Sequence, residues 1–180
     1  MGYAENANQV IAGETRPNSE PDMGTEIERK FLVIADDWRE KAGPGQPLRQ
    51  GYLTPKGTTS VRIRCAAAEA FLTIKGETHG LARPEFEYEI PVAEAEEMLL
   101  TLCIGPPLEK TRYRVEHGGL MWDVDVFSGR HAGLVIAEVE LIEAAQHVDL
   151  PSWVGLEVTN DPRYRNAALA EGDVLPQASP

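Results

Sequence analysis

The sequence predicts an α+β chain, mainly β: eight antiparallel strands closing into a barrel with a charged interior and helices packed outside. Two observations carry that expectation. From Thr25 onward the chain breaks into short runs rich in Val, Ile, Phe and Tyr, each bounded by Gly, Pro, Asp or Asn, the punctuation of strands and turns. Within those runs charge recurs at every second residue. Alternate side chains of a strand share a face, so each run has one ionic side and one oily side.

Residues 1–23 are poor in large apolar side chains and show no sustained period, so they read as a flexible leader, and the domain begins near Gly24. Strands are expected over about 25–33, 47–53, 60–66, 70–76, 84–91, 109–116, 120–127 and 134–142. Between the first two, Asp36 to Ala42 has room for only a short helix. Val92 to Cys103 is the longer helix, opening after Pro91, with Val92, Ala95, Met98, Leu99 and Leu102 on one face. Beyond Pro151 the Ala-rich run to Ala170 gives another short helix. Residues 173–180 read as a flexible tail, which leaves 24–172 as the domain, without internal repeats.

Composition narrows the function. The chain has 180 residues and carries 17 Lys+Arg against 29 Asp+Glu, a net charge of −12, which argues against a general nucleic-acid binder. Its apolar runs span a handful of residues, far short of the roughly 20 needed to cross a bilayer, so a soluble protein without a membrane partner is expected. Cys65 and Cys103 make neither a disulfide framework nor a zinc pattern and suit a reducing, cytoplasmic setting.

The charged positions are Glu26, Glu28 and Lys30 in the first strand, Arg62 and Arg64 in the third, and Lys75 after Thr73 in the fourth. Glu85, Glu87 and Glu89 follow in the fifth, Lys110, Arg112 and Arg114 in the sixth, Asp123 and Asp125 in the seventh, and Glu138 and Glu140 in the eighth. The opposite parity is apolar, as in Ile27 and Phe31, Val61 and Ile63, Phe86 and Tyr88, or Val124 and Val126. For one strand, a solvated sheet face explains such a pattern. Across seven strands that explanation weakens, because blocks of one sign repel their own neighbours unless opposite charge lies between them. If the sheet closes with its apolar face outward, these groups share one lumen. The basic side chains there suit phosphate oxygens. The carboxylates suit Mg²⁺ or Mn²⁺, hard cations that bridge to phosphate. Both signs together point to a metal-bound polyanion, for which a short linear polyphosphate is the simplest fit.

These residues resemble a known family. Glu26-Ile27-Glu28-Arg29-Lys30-Phe31 matches the ExExK signature of the CYTH superfamily, the triphosphate tunnel metalloenzymes. It is joined in the family's order by Leu48-Arg49-Gln50-Gly51-Tyr52, Arg62-Ile63-Arg64, Thr73-Ile74-Lys75, Glu85-Phe86-Glu87, Glu109-Lys110-Thr111-Arg112-Tyr113, Asp123-Val124-Asp125-Val126-Phe127 and Glu138-Val139-Glu140. Members are eight-stranded antiparallel tunnels that bind triphosphates with Mg²⁺ or Mn²⁺. They include inorganic triphosphatases, thiamine-triphosphatases, class IV adenylate cyclases and messenger-RNA capping triphosphatases. The likeness to compact bacterial members opening with the same EIERKFLV stretch implies hydrolysis of inorganic triphosphate to pyrophosphate and phosphate.

Carried over position by position, the resemblance implies Glu26, Glu28 and Glu140 as ligands of the main metal. Glu85, Glu87, Asp123, Asp125 and Glu138 would hold a second ion or orient the basic residues. Arg62, Arg64, Lys75, Lys110 and Arg112 would grip the phosphates, and Lys30 with Tyr52 would form the catalytic pair. Crowding by other cations is expected to depress the Lys30 pKa.

Other readings share the same lumen. A cyclase acting on ATP, or a thiamine-triphosphatase, needs a ring pocket that no residue identifies; Trp38, Trp122 and Trp153 read as buried anchors. A non-catalytic polyphosphate-binding module gains nothing from buried carboxylates. His79, His117, His131 and His147 read as surface groups, and the Gly-flanked loop of Arg130 and His131 either lines the tunnel mouth or meets solvent. A closed barrel offers no sheet edge, so a homodimer would pair through outer helices or loops.

Overall fold

Eight strands form within a residue or two of where the alternation predicts them, in a computed structural model that describes residues 25–54 and 57–172. They are β1 (Thr25–Val33), β2 (Gln46–Tyr52), β3 (Ser60–Ala66), β4 (Glu69–Lys75), β5 (Ala82–Glu89), β6 (Leu108–His117), β7 (Leu120–Phe127) and β8 (Val135–Glu140). The expected leader, residues 1–23, and tail, residues 173–180, lie outside the described residues. Neighbours pair antiparallel in the order β5-β4-β3-β2-β6-β7-β8-β1, and β1 returns to β5 through Thr25↔Pro84, Glu26↔Arg83 and Ile27↔Ala82. The result is a closed eight-stranded antiparallel barrel.

Strand β1 closes it by dividing its length. Glu28 to Leu32 pair with β8, the first three residues pair with β5, and Phe31 and Val33 pair with a ninth strand, β9 (Val154–Glu157). Strand β9 has no signature in the alternation, since four residues are too few to show a period. No helix among the described residues is long and apolar enough to cross a membrane.

The oily parity faces outward and is covered in two places. Over β1, β6, β7 and β8, Phe31, Val115, Trp122, Val124 and Val139 pack against Trp38 of a 3₁₀ helix (Asp37–Lys41) and against Val148 and Trp153. Ring centroids of Trp122 lie 5.6 Å from both Phe31 and Trp153, so all three tryptophans anchor this outer layer. Over β3 and β4, helix α1 (Val92–Thr101) sets Ala95 and Leu99 on Ile63, Cys65 and Ala70. Each large side chain so buried contributes about 1.5–3 kcal/mol. Leu102, expected on that buried face, is 60% exposed because the helix ends at Thr101 and Leu102 serves as its C-cap. The outer face of β5 has no such cover, leaving Phe86 and Tyr88 exposed.

The interior has two zones. Leu32, Leu108, Phe127 and Ile136 share the inward parity of Lys30, Lys110, Asp125 and Glu138, and they cluster with Val158, Tyr164 and Leu169. Leu169 belongs to α2 (Asn166–Glu171), which contacts β2 and β6. The lumen has the charged interior expected of it and stops at an apolar floor. Arg130 donates to the Ala170 carbonyl, and His131 Nε2 lies 2.8 Å from the Leu169 carbonyl. These two residues hold the last turn of α2 instead of lining a mouth or meeting only solvent.

Candidate active site

Above the floor lies a cavity of about 580 Å³. Its wall carries eight basic and eight acidic side chains among the described residues, so it is nearly neutral in formal charge and suits neither a bare anion nor a bare cation. Glu26, Glu28, Lys30, Tyr52, Arg62, Arg64 and Lys75 lie on it as the strand parity requires. So do Glu85, Glu87, Arg112, Asp123, Glu138 and Glu140, while the mostly exposed Arg114 stands at the rim. Lys110 and Asp125 do not. Both side chains are 1% exposed and form an ion pair at 2.5 Å behind the wall.

Within the cavity the basic groups carried by the strands each contact at least one carboxylate, some across more than one strand. Lys30 Nζ donates to Glu138, and lies 2.8 Å from Glu28 Oε1. Arg112 forks onto Asp125, with Nε to Oδ1 and Nη2 to Oδ2 both at 2.7 Å, and also reaches Asp123 at 2.8 Å and Glu138 at 2.9 Å. Lys75 Nζ donates to Glu26 at 2.7 and 2.8 Å and lies 3.2 Å from Glu85. Arg62 and Arg64 share Glu87 at 3.2 and 2.9 Å, and the Thr73 hydroxyl donates to the same carboxylate at 2.6 Å.

These contacts set the protonation states. Burial disfavours the Lys30 ammonium, but Glu138 and Glu28 outweigh it and hold its pKa above the ordinary lysine value. The expected depressed Lys30 is therefore corrected: its neighbours are carboxylates, not cations. Tyr52 is buried and pushed up to about 12, against the lowering pull of Arg62 and Lys30, so it keeps its proton; its oxygen accepts from Gln50 Nε2 at 3.1 Å. Glu26 resists burial through Lys75 and Arg83 and is lowered to about 2. Glu140 moves the other way, raised by burial and then by Glu26 and Glu28. Lys110 is pushed down to about 8 by burial despite Asp125.

That contrast tests the fit to a metal. No three acidic, histidine or cysteine side chains among the described residues are gathered at ligating distance. Cations fill the gap instead: Lys75 and Arg83 hold Glu26, Lys30 holds Glu28, and Glu140 has no ion-pair partner among the described residues. Glu140 faces Glu28 directly across the β1–β8 pairing. Glu26, Glu28 and Glu140 offer only anionic oxygen donors, the type a hard divalent cation takes, and such an ion would compete with the resident cations for them.

Glu77, Arg83 and Arg165 are charged wall residues to which the sequence reading assigns no role. Arg83 precedes Glu85 by two and shares its face, but the expected strand start at 84 left it outside. Arg165 follows the last alternating segment, in a stretch with no period to read.

The CYTH domain family model matches residues 24–166. The chain belongs to the CYTH domain family. It is 46% identical over 149 residues to an inorganic triphosphatase of Acetivibrio thermocellus, covering 83% of this chain and 95% of that protein. It is 44% identical over 150 residues to an inorganic triphosphatase of Nitrosomonas europaea, covering 81% and 97%. A crystal structure of an inorganic triphosphatase superposes with a TM-score of 0.59 at 40% identity, covering 82% of this chain and 95% of the other. A Hippeastrum protein described as an adenylyl cyclase with a dominant triphosphatase activity shares the fold alone, at a TM-score of 0.51 and 14% identity over 66% and 80% of the two chains. Family enzymes of this kind are metal-dependent triphosphate hydrolases, and the CYTH barrel here carries the residue types such chemistry needs.

Proposed function

We propose that this CYTH domain protein hydrolyses inorganic triphosphate to pyrophosphate and phosphate, with Mg²⁺ or Mn²⁺, in the cytoplasm, and that residues 24–172 are the working unit. The observation that carries the reading is the mixed wall: phosphate donors and metal-type carboxylates interleave in one cavity around Lys30 and Tyr52. Tyr52 is the only aromatic ring lining the cavity among the described residues, so no stacking platform for a nucleobase or thiazole supports the cyclase or thiamine reading.

Arg62, Arg64, Lys75 and Arg112 supply forked and point donors that hold a linear triphosphate in line. Glu26, Glu28 and Glu140 would hold the main divalent ion, which when bound neutralises phosphate charge and acidifies a water. Asp123, Glu85, Glu87 and Glu138 orient the cations around them. Lys110 and Asp125, behind the wall, position Arg112 and do not touch substrate. In hydrolysis a water oxygen bonds to the terminal phosphorus and gives up a proton to solvent, while the bond from that phosphorus to its bridging oxygen breaks and the oxygen departs on pyrophosphate with the electron pair. A protonated Lys30 meets that charge, and the protonated Tyr52 adds a hydrogen-bond donor. Neither serves as a base, since both hold their protons near neutral pH.

Phosphate release from inorganic triphosphate, ATP, thiamine triphosphate and longer polyphosphate, each with Mg²⁺, Mn²⁺ or chelator, tests the reading. Turnover of the first compound that stops with chelator is expected; cyclic AMP from ATP would replace the proposal. Lys30→Met and Tyr52→Phe are expected to lower kcat about 10²-fold, the usual scale for a lost donor to charge that develops in the transition state.

A further inference from the structure

Arg83 lies where β1 and β5 close the barrel, opposite Glu26 in register. Its Nε donates to Glu26 Oε2 at 2.7 Å, and its Nη2 reaches Glu28 Oε1 at 3.5 Å. Those two carboxylates are ligands in the metal arrangement proposed above. A guanidinium cannot release them by losing its proton, because it stays charged at any pH a protein tolerates. It releases them only by moving. The side chain has room to do so: it is 22% exposed, stands second in its strand, and lines the cavity.

We propose that Arg83 is a resident counter-ion that competes with the divalent cation for Glu26 and Glu28, and that the guanidinium, displaced from them, turns to the phosphate oxygens of the substrate. The cation arm of this proposal stands on the contacts alone; the phosphate arm rests on the triphosphatase reading. One group would thus couple the two loading events. Without a cation the carboxylates are neutralised and the arginine is occupied, and with a cation the arginine is free for the anion that accompanies it. Lys75 differs, being 9% exposed and held by Glu85 as well as Glu26.

The experiment measures Mn²⁺ binding to the full chain without triphosphate, by electron paramagnetic resonance of free Mn²⁺ at constant ionic strength. Removing a positive charge in contact with two ligands is expected to tighten Mn²⁺ binding about tenfold in Arg83→Gln and Arg83→Met, while Arg83→Lys stays near wild type. At saturating Mn²⁺ the KM for inorganic triphosphate is expected to rise in the first two variants more than in the third. An arginine that merely pins the barrel seam predicts the reverse for the metal, since a loosened seam weakens the site. Unchanged or weaker Mn²⁺ binding in both neutral variants, with thermal unfolding showing at least one of them folded, overturns the counter-ion role. A wild-type protein that leaves triphosphate intact would instead sink the hydrolase reading and the phosphate arm, with the Mn²⁺ comparison still decisive for the cation arm.

Discussion

Lys30 and Glu140 sit two strand positions apart across the β1–β8 pairing, and their neighbours drive them in opposite directions. Lys30 is held charged between two carboxylates, whereas Glu140 is charged beside two more of its own sign. A carboxyl whose folded pKa is raised destabilises the fold at every pH above that value, and the penalty fades as pH falls through it. Glu140→Gln is therefore expected to raise the melting temperature at pH 7 while lowering Mn²⁺ affinity. The gain should stay under about 1 kcal/mol, because water screens an exposed group, and should vanish near pH 4 in parallel melting curves. The members of this site were legible from alternation alone. Their pairing was not, which is why Lys30 was expected among cations: period tells which face a side chain takes, not which strand lies across from it.

Helix α2 is six residues long, too short to persist in water by propensity. It exists because Leu169 and Ala170 fill the barrel floor against Leu108, Phe127 and Ile136, and because Arg130 and His131 occupy its last carbonyls. Asn166, in its first turn, lines the cavity and lies 3.5 Å from Lys110 Nζ. Floor and site therefore share one element. Leu169→Ala removes a fully buried side chain and is expected to cost about 2–5 kcal/mol in denaturant unfolding, with triphosphatase turnover falling in the variant even where it remains folded. The Ala-rich run announced this helix, but its destination inside the barrel had no local signature. Nor did β9, whose four residues gain their ladder only from the outer edge of β1.

Across the whole molecule the barrel is unevenly joined. β6 and β7 share eight paired positions, from Lys110↔Phe127 to His117↔Leu120, whereas the closing β1–β5 pairing has three. Native-state hydrogen exchange is expected to show the seam amides of β1 and β5 exchanging before those of β6 and β7, since local opening follows the number of bonds that must break together. Equal protection across all eight strands would contradict this. Arg83 and Glu26 lie in that seam, so the weakest join of the barrel is also a wall of the candidate site.

What the sequence determined unaided was the strand set, the inward ionic parity and the family, because a period of two is written residue by residue and survives without any partner. Only the tertiary structure decided that the lumen ends on an apolar floor, that Lys110 and Asp125 fall behind its wall, and that Arg83 faces the metal-type carboxylates. Each of those depends on which strands lie side by side and in what register, and closing a ring joins residues far apart in the chain by contacts that no local pattern records.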